Sequence, residues 1–344
     1  MSHPYRIREI AQQAGLSTAT VDRVLHGRAG VRAATVAEVH RAIADLDRQA
    51  SQVRLGGATF FVDLVVLAPD RFSRAVRTAL EAELPSLRPA VVRARFHFRE
   101  AGTPADLAAT MDAIAERGSS GVLLKAPDDP AVVAAVARLE ERGIPVVTFV
   151  TDVPTSRRIA YVGMDDRAAG ATAAYLLTTA APDSTGVLVA LSRSTFRGEG
   201  DRELGFRAAL RNLAPQLPVH VVEGTDGLDA ATGTAVPEVL ARHEGIDTVY
   251  SIGGGNRAVL AAFEAASRPV RAFVAHDLDA ENVVLLRARR LTAVLHHDLR
   301  ADVRRVCRAV MQAQGALPGR PSSHPSQIQV VTPFNEPAGL LGDG

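Results

Sequence analysis

Ser17, Thr18 and Ala19, followed by Arg23, form the group whose types and spacing point most directly to chemistry. Small side chains at the start of a helix let its first turn approach base edges closely. An arginine at i+4 from Ala19 lies on the same face, where its guanidinium can reach guanine or a phosphate. That chemistry is the reading of duplex DNA, not bond making. Other reactive patterns do not close. Cys307 is the only cysteine, which excludes an internal disulfide and any four-thiolate metal site. The chain has no Gly-x-Ser-x-Gly elbow, no P-loop and no His-Glu-x-x-His. Gly253-Gly254-Gly255 follows a strand pattern but reads as a tight turn, because the dinucleotide fingerprint is incomplete. His296 and His297 are neighbours on a strand and therefore point to opposite faces, which argues against one metal shared with Asp298. The expectation is a protein without metal, cofactor or catalysis.

The elements that must position these residues follow from periodicity. Ile7, Ile10, Ala11 and Ala14 repeat at helical spacing, Gly15 stops that helix, and Ser17 is a good N-cap for the next. Val21, Val24 and Leu25 form the inner face of the second helix. A turn at His26–Gly30 leads to a third, marked by Val31, Thr35, Val36, Val39, Ile43 and Leu46. The first 58 residues hold eight arginines against five acids, a local surplus that suits phosphate contact on a chain of net charge +1. Residues 49–60 are polar and contain Gly56-Gly57, the pattern of a linker. Beyond them strand patterns (62–68, 91–98, 120–125, 144–150, 186–191, 218–223, 247–252, 270–275 and 292–296) alternate with helical ones, which implies βαβ units and two parallel sheets. Ligands of such sheets sit beyond the carboxyl ends of the strands. With 47% hydrophobic and 22% charged residues the balance is globular. The polar start and the lack of a membrane-length apolar run lead us to expect a soluble, cytoplasmic protein with no membrane partner. Lys125 is the only lysine, which we attribute to codon bias.

The stretch AGLSTATVDRVLHGRAGVRAATVAEV resembles the DNA-binding head of the lac-repressor (LacI/GalR) family, through Ala14, Gly15, Ser17, Thr20, Val21, Arg23, Val24, Leu25, Val31 and Thr35. Asp22, His26 and Val36 stand where the family has serine, asparagine and arginine, and Asp22 repels phosphate unless an arginine pairs with it. The hinge equivalent, RQASQVRLGG, lacks the family's proline and asparagine and offers Leu55 as its only minor-groove wedge. The rest of the chain is similar to that family's effector domain and to ribose-type periplasmic binding proteins. The resemblance implies an all-α helix-turn-helix head on a two-lobed α/β domain with parallel sheets, the type I periplasmic-binding-protein fold. The expected division is a head at 1–48, a degenerate hinge at 49–60, an effector domain at 61–336 and a tail at 337–344. Within the effector domain it assigns 61–161 and 297–320 to the first lobe, and 162–296 and 321–336 to the second. It assigns DNA contact to Ile7, Ser17, Thr18, Ala19, Thr20, Arg23, His26, Arg32, Thr35 and Leu55. It assigns effector contact to Asp70, Phe72, Thr151, Asp152, Arg202, Asn256, Asp277 and His297. The implied partners are a near-palindromic DNA operator, a sugar-like or polyol effector and a second copy of the chain. Two rivals remain at this stage: a ligand-binding module that has lost DNA binding, and an enzyme on the same scaffold.

Overall fold

A computed structural model describes residues 4–193 and 195–337; the side chains of residues 48, 51–55 and 324 also lie outside the description. The chain begins with three helices, α1 (Ile7–Ala14), α2 (Thr18–Leu25) and α3 (Ala33–Leu55). Gly15 ends α1 by taking φ 65°, from which its N–H reaches the carbonyls of Ala11 and Gln12. Ser17 then starts α2, its hydroxyl accepting the Thr20 N–H at 3.1 Å. Ile10, Val21 and Val39 are fully buried where the three helices meet, with Leu16, Val24, Ile43 and Leu46 packed around them. The apolar residues picked out by helical spacing thus form the head's own core. Helix α3 is longer than expected. Residues 49–55, which read as part of a linker, continue it, and the helix gives way to a turn only at Gly56-Gly57. Polarity misled the reading: Arg, Gln, Ala and Leu are polar or apolar by turns, but all are strong helix formers.

The larger part begins with β1 (Thr59–Leu67), α4 (Asp70–Glu83), β2 (Val91–Arg99), α5 (Pro104–Arg117), β3 (Gly121–Lys125), α6 (Pro130–Glu141), β4 (Val146–Phe149) and β5 (Ala160–Met164). It continues with α7 (Asp166–Ala180), β6 (Val187–Ala190), α8 (Arg197–Leu213), β7 (Val219–Val222), α9 (Asp229–Arg242), β8 (Thr248–Ser251), α10 (Asn256–Ala265) and β9 (Ala272–His276). It ends with α11 (Ala280–Arg287), β10 (Ala293–His296), α12 (Leu299–Ala313), β11 (His324–Ser326) and β12 (Gln329–Val331). The strands form two six-stranded sheets, ordered β11-β5-β4-β3-β1-β2 and β12-β10-β9-β8-β6-β7. Every pairing is parallel except that of β12 with β10. Helices cover both faces of each sheet, so strands such as β1 and β3 read as nearly unbroken apolar runs.

Three strands were not legible in the sequence. β5 pairs with β4, so the first lobe extends past residue 161 to Met164. β11 pairs with β5, which places residues 324–326 in the first sheet and not in the second lobe. The chain crosses between lobes after β5, before α12, and again between β11 and β12. Helix α12 packs Val303, Val306 and Val310 into the first lobe's core, which carries the chain back there before β12 closes the second sheet. In the second lobe α7 and α8 cross at two glycines. A Cβ on Gly170 would stand 1.9 Å from the Arg202 carbonyl oxygen, and one on Gly205 2.1 Å from that of Arg167. This contact fixes the start of α8, which carries Arg202.

Candidate nucleic-acid interface and ligand cleft

On α2, Val21 points into the head's core and the opposite face is open. Ala19, Arg23 and His26 are exposed there, Ser17 and Thr18 are exposed at the start of the helix, and Arg32 is exposed before α3; Thr20 and Thr35 are half-buried. Ile7 is half-buried against the core of the bundle. The side chain of Leu55 lies outside the described residues. Asp22 does not stand alone: Arg28 Nη1 lies 3.0 Å from one of its oxygens and His26 Nδ1 3.1 Å from the other. The acidic departure is therefore neutralised within the head by a cation that the sequence comparison did not single out.

The second site lies between the lobes. In each sheet the chain reverses direction of progression beside the first strand, between β1 and β3 and between β6 and β8. The crevice formed there at the strands' carboxyl ends is the expected ligand position. The cleft is lined from the first lobe by Ala68, Arg71 and Phe72 after β1, Lys125 ending β3, and Val150 and Thr151 after β4. The second lobe adds Ser192 and Arg193 after β6, Phe196, Glu199 and Arg202 around the start of α8, and His276, Asp277 and Asp279 around the end of β9. Its free space is about 60 Å³. A cavity of roughly 150 Å³ holds benzene, so a six-membered sugar ring requires the lobes to part or the long side chains to swing.

Two kinds of observation mark this cleft as functional. The first is backbone strain. Val150, Asp226 and Asp277 line it and have φ of 65°, 53° and 63°. Positive φ costs a non-glycine residue about 1–3 kcal/mol and is most unusual for a β-branched one. The strain is matched across the lobes: the Val150 N–H bonds to Val162 on β5, and the Asp277 N–H bonds to Leu295 on β10. The second is unsatisfied polarity. His276 Nδ1 and Asp277 Oδ1 are buried without a hydrogen-bond partner, as is His297 Nε2 behind Asp277. Asp277 Oδ1 and His297 Nε2 lie 3.8 Å apart as an ion pair too long for a hydrogen bond, so His276 Nδ1 is the atom here with no polar group paired to it. Burial pushes the His276 imidazole well below its ordinary pKa, with Arg202 and His297 adding to the effect, so it is neutral. Its Nε2 is taken by the Tyr250 hydroxyl at 2.8 Å, leaving the other nitrogen for a ligand.

Most charges in the cleft are already paired. Arg71 reaches from the first lobe to Asp279 of the second, Nε to Oδ2 at 2.9 Å, and donates to the Gly227 carbonyl at 3.1 Å. Arg193 pairs with Asp226, and Arg202 with Asp166 at 2.7 Å. Glu199 accepts from the backbone and hydroxyl of Ser192. A further link across the lobes runs from the Gly198 N–H to the Thr151 hydroxyl at 3.0 Å.

Of the eight effector residues expected from sequence, Phe72, Thr151, Arg202 and Asp277 meet in this cleft. Asp70 does not: it is exposed at the start of α4 and pairs with Arg74, because the helix turns its neighbours Arg71 and Phe72 inward instead. Asp152 accepts hydrogen bonds from Arg158 and Thr148 and is not among the residues that line the cleft. Asn256 and His297 stand one layer back. The Asn256 amide donates to Asn282, a cleft residue, at 2.7 Å. His297 Nδ1 is bound to Asp302 at 2.5 Å and its Nε2 is 3.8 Å from Asp277. Burial alone would lower the His297 pKa, but Asp302 prevails and raises it. His296 faces away, its Nδ1 accepting the Leu278 N–H at 3.2 Å. Among the described residues no cluster of three or more His, Cys, Asp or Glu could hold a metal ion, and no helix is long and apolar enough to cross a membrane. Sequence reasoning missed Arg71, Lys125, Arg193, Glu199, His276 and Asp279. Their signal was available, since each follows or ends a strand or opens the next helix, but that rule alone does not tell an inward side chain from an outward one.

A head with an open recognition-helix face, followed by two lobes closing on a polar cleft, defines a ligand-binding protein built to act on a DNA-reading module. Residues 6–49 match the model of the bacterial regulatory proteins of the lacI family, and residues 65–316 match the periplasmic binding protein domain. The chain belongs to the lacI-type regulators, with a periplasmic-binding-protein domain as its larger part. Similar solved structures include a glucose-galactose binding protein from Geobacillus stearothermophilus (18% identity, TM-score 0.72, 81% of this chain and 99% of that one). Others are a solute binding protein from Burkholderia graminis in complex with D-arabinose (21%, 0.70, 82% and 97%) and a candidate LacI transcriptional regulator from Bacteroides fragilis (14%, 0.69, 81% and 98%). At these identities they establish the fold. Comparison with curated proteins returned no significant match.

Proposed function

We infer that this chain is a DNA-binding transcriptional regulator whose grip on an operator is set by a small, uncharged polyhydroxylated molecule held between the lobes. The observation that carries the reading is the exposure of Thr18, Ala19 and Arg23 together on α2, on a bundle whose core is complete without them. The rival module without DNA binding rested on Asp22 and the weak hinge; Arg28 pairs with Asp22, and the match of residues 6–49 to the lacI-family model does not favour that rival. The character of the effector follows from the cleft. Four cations (Arg71, Lys125, Arg193, Arg202) face five carboxylates (Glu100, Glu199, Asp226, Asp277, Asp279), so no surplus of positive charge invites an anion. Single unpartnered donors and acceptors suit hydroxyl groups, and the rings of Phe72 and Phe196 suit the apolar face of a sugar. The similar structures described with glucose-galactose and D-arabinose agree with this class. The reading includes no catalysis.

The protein acts as a homodimer in this proposal, two heads reading the halves of a near-palindrome in the cytoplasm. The effector shifts an existing balance between lobe arrangements by its differential affinity for them, and release from DNA is the expected sign. The test is a gel shift with the DNA upstream of the chain's own gene. Arg23→Ala is expected to weaken binding by roughly 1–3 kcal/mol, while Asp277→Ala retains DNA binding and loses the response to sugars and polyols. Undiminished binding by Arg23→Ala would sink the assignment of α2.

A further inference from the structure

We propose that Lys125 is a covalent anchor in the cleft, its side-chain amine forming a reversible imine with the carbonyl group of a hydroxyaldehyde or open-chain sugar. The proposal rests on the reading of the cleft as the effector site and narrows the class of effector to one that carries a free carbonyl. Lys125 is the only lysine of the chain, ends β3 inside the cleft and is 9% exposed. The arginines beside it, Arg71, Arg193 and Arg202, each have a carboxylate partner. Lys125 has none within ion-pair distance among the described residues. Its Nζ donates to the Leu67 carbonyl at 3.1 Å and lies 4.2 Å from the ring centre of Phe196 and 5.6 Å from that of Phe72. A carbonyl oxygen and two aromatic faces replace the water around an ammonium only in part. Burial accordingly pushes its pKa down to about 8, against the pull of Glu199 and Asp277. About one chain in ten then carries the neutral, nucleophilic amine at pH 7.

The nitrogen lone pair attacks the carbonyl carbon, and a proton passes from nitrogen to oxygen to give the carbinolamine. The carbinolamine takes up from solvent the proton that the ammonium had given up, and its hydroxyl leaves as one water, so that a protonated imine remains. No oxidant or reductant is consumed. The product keeps the single positive charge of the lysine, in the field of the same Glu199 and Asp277 carboxylates. The free space of about 60 Å³ admits a two-carbon hydroxyaldehyde while the lobes are closed.

The experiment treats the full chain with glycolaldehyde and cyanoborohydride near neutral pH and locates the adduct by peptide mass spectrometry. With one lysine in the sequence, an adduct on the peptide that contains residue 125 is told apart from one on the α-amine. Lys125 of the folded protein is expected to be trapped at least about tenfold faster than Lys125 of the same chain in urea, where its pKa returns to that of a free side chain. Lys125→Met, checked for folding by circular dichroism, is expected to lose a thermal shift that glycolaldehyde produces in the wild type. Trapping no faster in the folded protein than in urea overturns the proposal, as does an equal thermal shift in Lys125→Met. Ribitol, which has the hydroxyls but no carbonyl, separates the two readings. Stabilisation by ribitol with Lys125 unlabelled overturns the imine and leaves the polyol effector standing. Fast labelling without any response to polyols supports the imine and removes the polyol effector.

Discussion

Arg71→Ala isolates an ion pair that ties the two lobes together, and the size of its effect can be bounded. The side chains of Arg71 and Asp279 are 15% and 4% exposed. Burial pushes Asp279 up from its ordinary 3.8 to about 6, against the Asn282 N–H and the charge of Arg71. At pH 7 the neutral acid therefore lies about one pH unit, or about 1.4 kcal/mol, above the carboxylate. Once the guanidinium is gone, the carboxyl can take up a proton, and the neutral form barely feels Arg71. The electrostatic loss is thus capped at about 1.4 kcal/mol at pH 7 and about 2.7 kcal/mol at pH 8, and it fades below pH 6. This is less than the roughly 3–5 kcal/mol of a stranded buried charge, because the proton rescues it. The sign for the wild type is the reverse of the usual carboxylate. The native state holds the extra proton between the ordinary pKa and about 6, so the stability due to this group falls as pH rises through that window and is level above it. The variant, with a still higher pKa, continues to lose stability above 6. Urea unfolding of both proteins, followed by far-UV circular dichroism at about pH 5.5, 7 and 8, measures the difference. Lost packing adds a constant offset. A difference that is the same at all three values, or largest at the lowest, would refute the reasoning.

Two further predictions concern the scaffold and the head. Gly170→Ala places a Cβ 1.9 Å from the backbone oxygen of Arg202, so α7 and α8 must separate. A loss of at least about 1–3 kcal/mol in unfolding free energy is expected. A weaker response to effector should come with it, and an unchanged midpoint would show that the crossing is slack. Asp22→Ser frees Arg28 and removes a negative charge from the face that approaches DNA. The plot of log affinity against log salt is expected to steepen by about one unit, and an unchanged slope in a gel-shift titration would refute the pairing's role.

The head was almost wholly legible in the sequence because its information is local. Gly15, Ser17 and the apolar spacing from Ile10 to Leu46 specify three helices by capping and periodicity alone. Once Val21 faces inward, Ala19 and Arg23 fall on the opposite side of the helix and face outward, while Ser17 and Thr18 are exposed because they open it. The alternation of strands and helices likewise announced two parallel sheets, and the strand-end rule located the cleft. Tertiary structure decided the rest. β11 is a strand only because β5 lies beside it; His324-Pro325-Ser326 has no intrinsic preference to be one. Asp70 and Arg71 are adjacent in a helix, and one turns to solvent while the other crosses to Asp279, a choice made by the second lobe's position. The low pKa of Lys125 and the raised pKa of Asp279 likewise come from burial between lobes far apart in the chain, since removal of water is a property of the folded cleft and not of either segment.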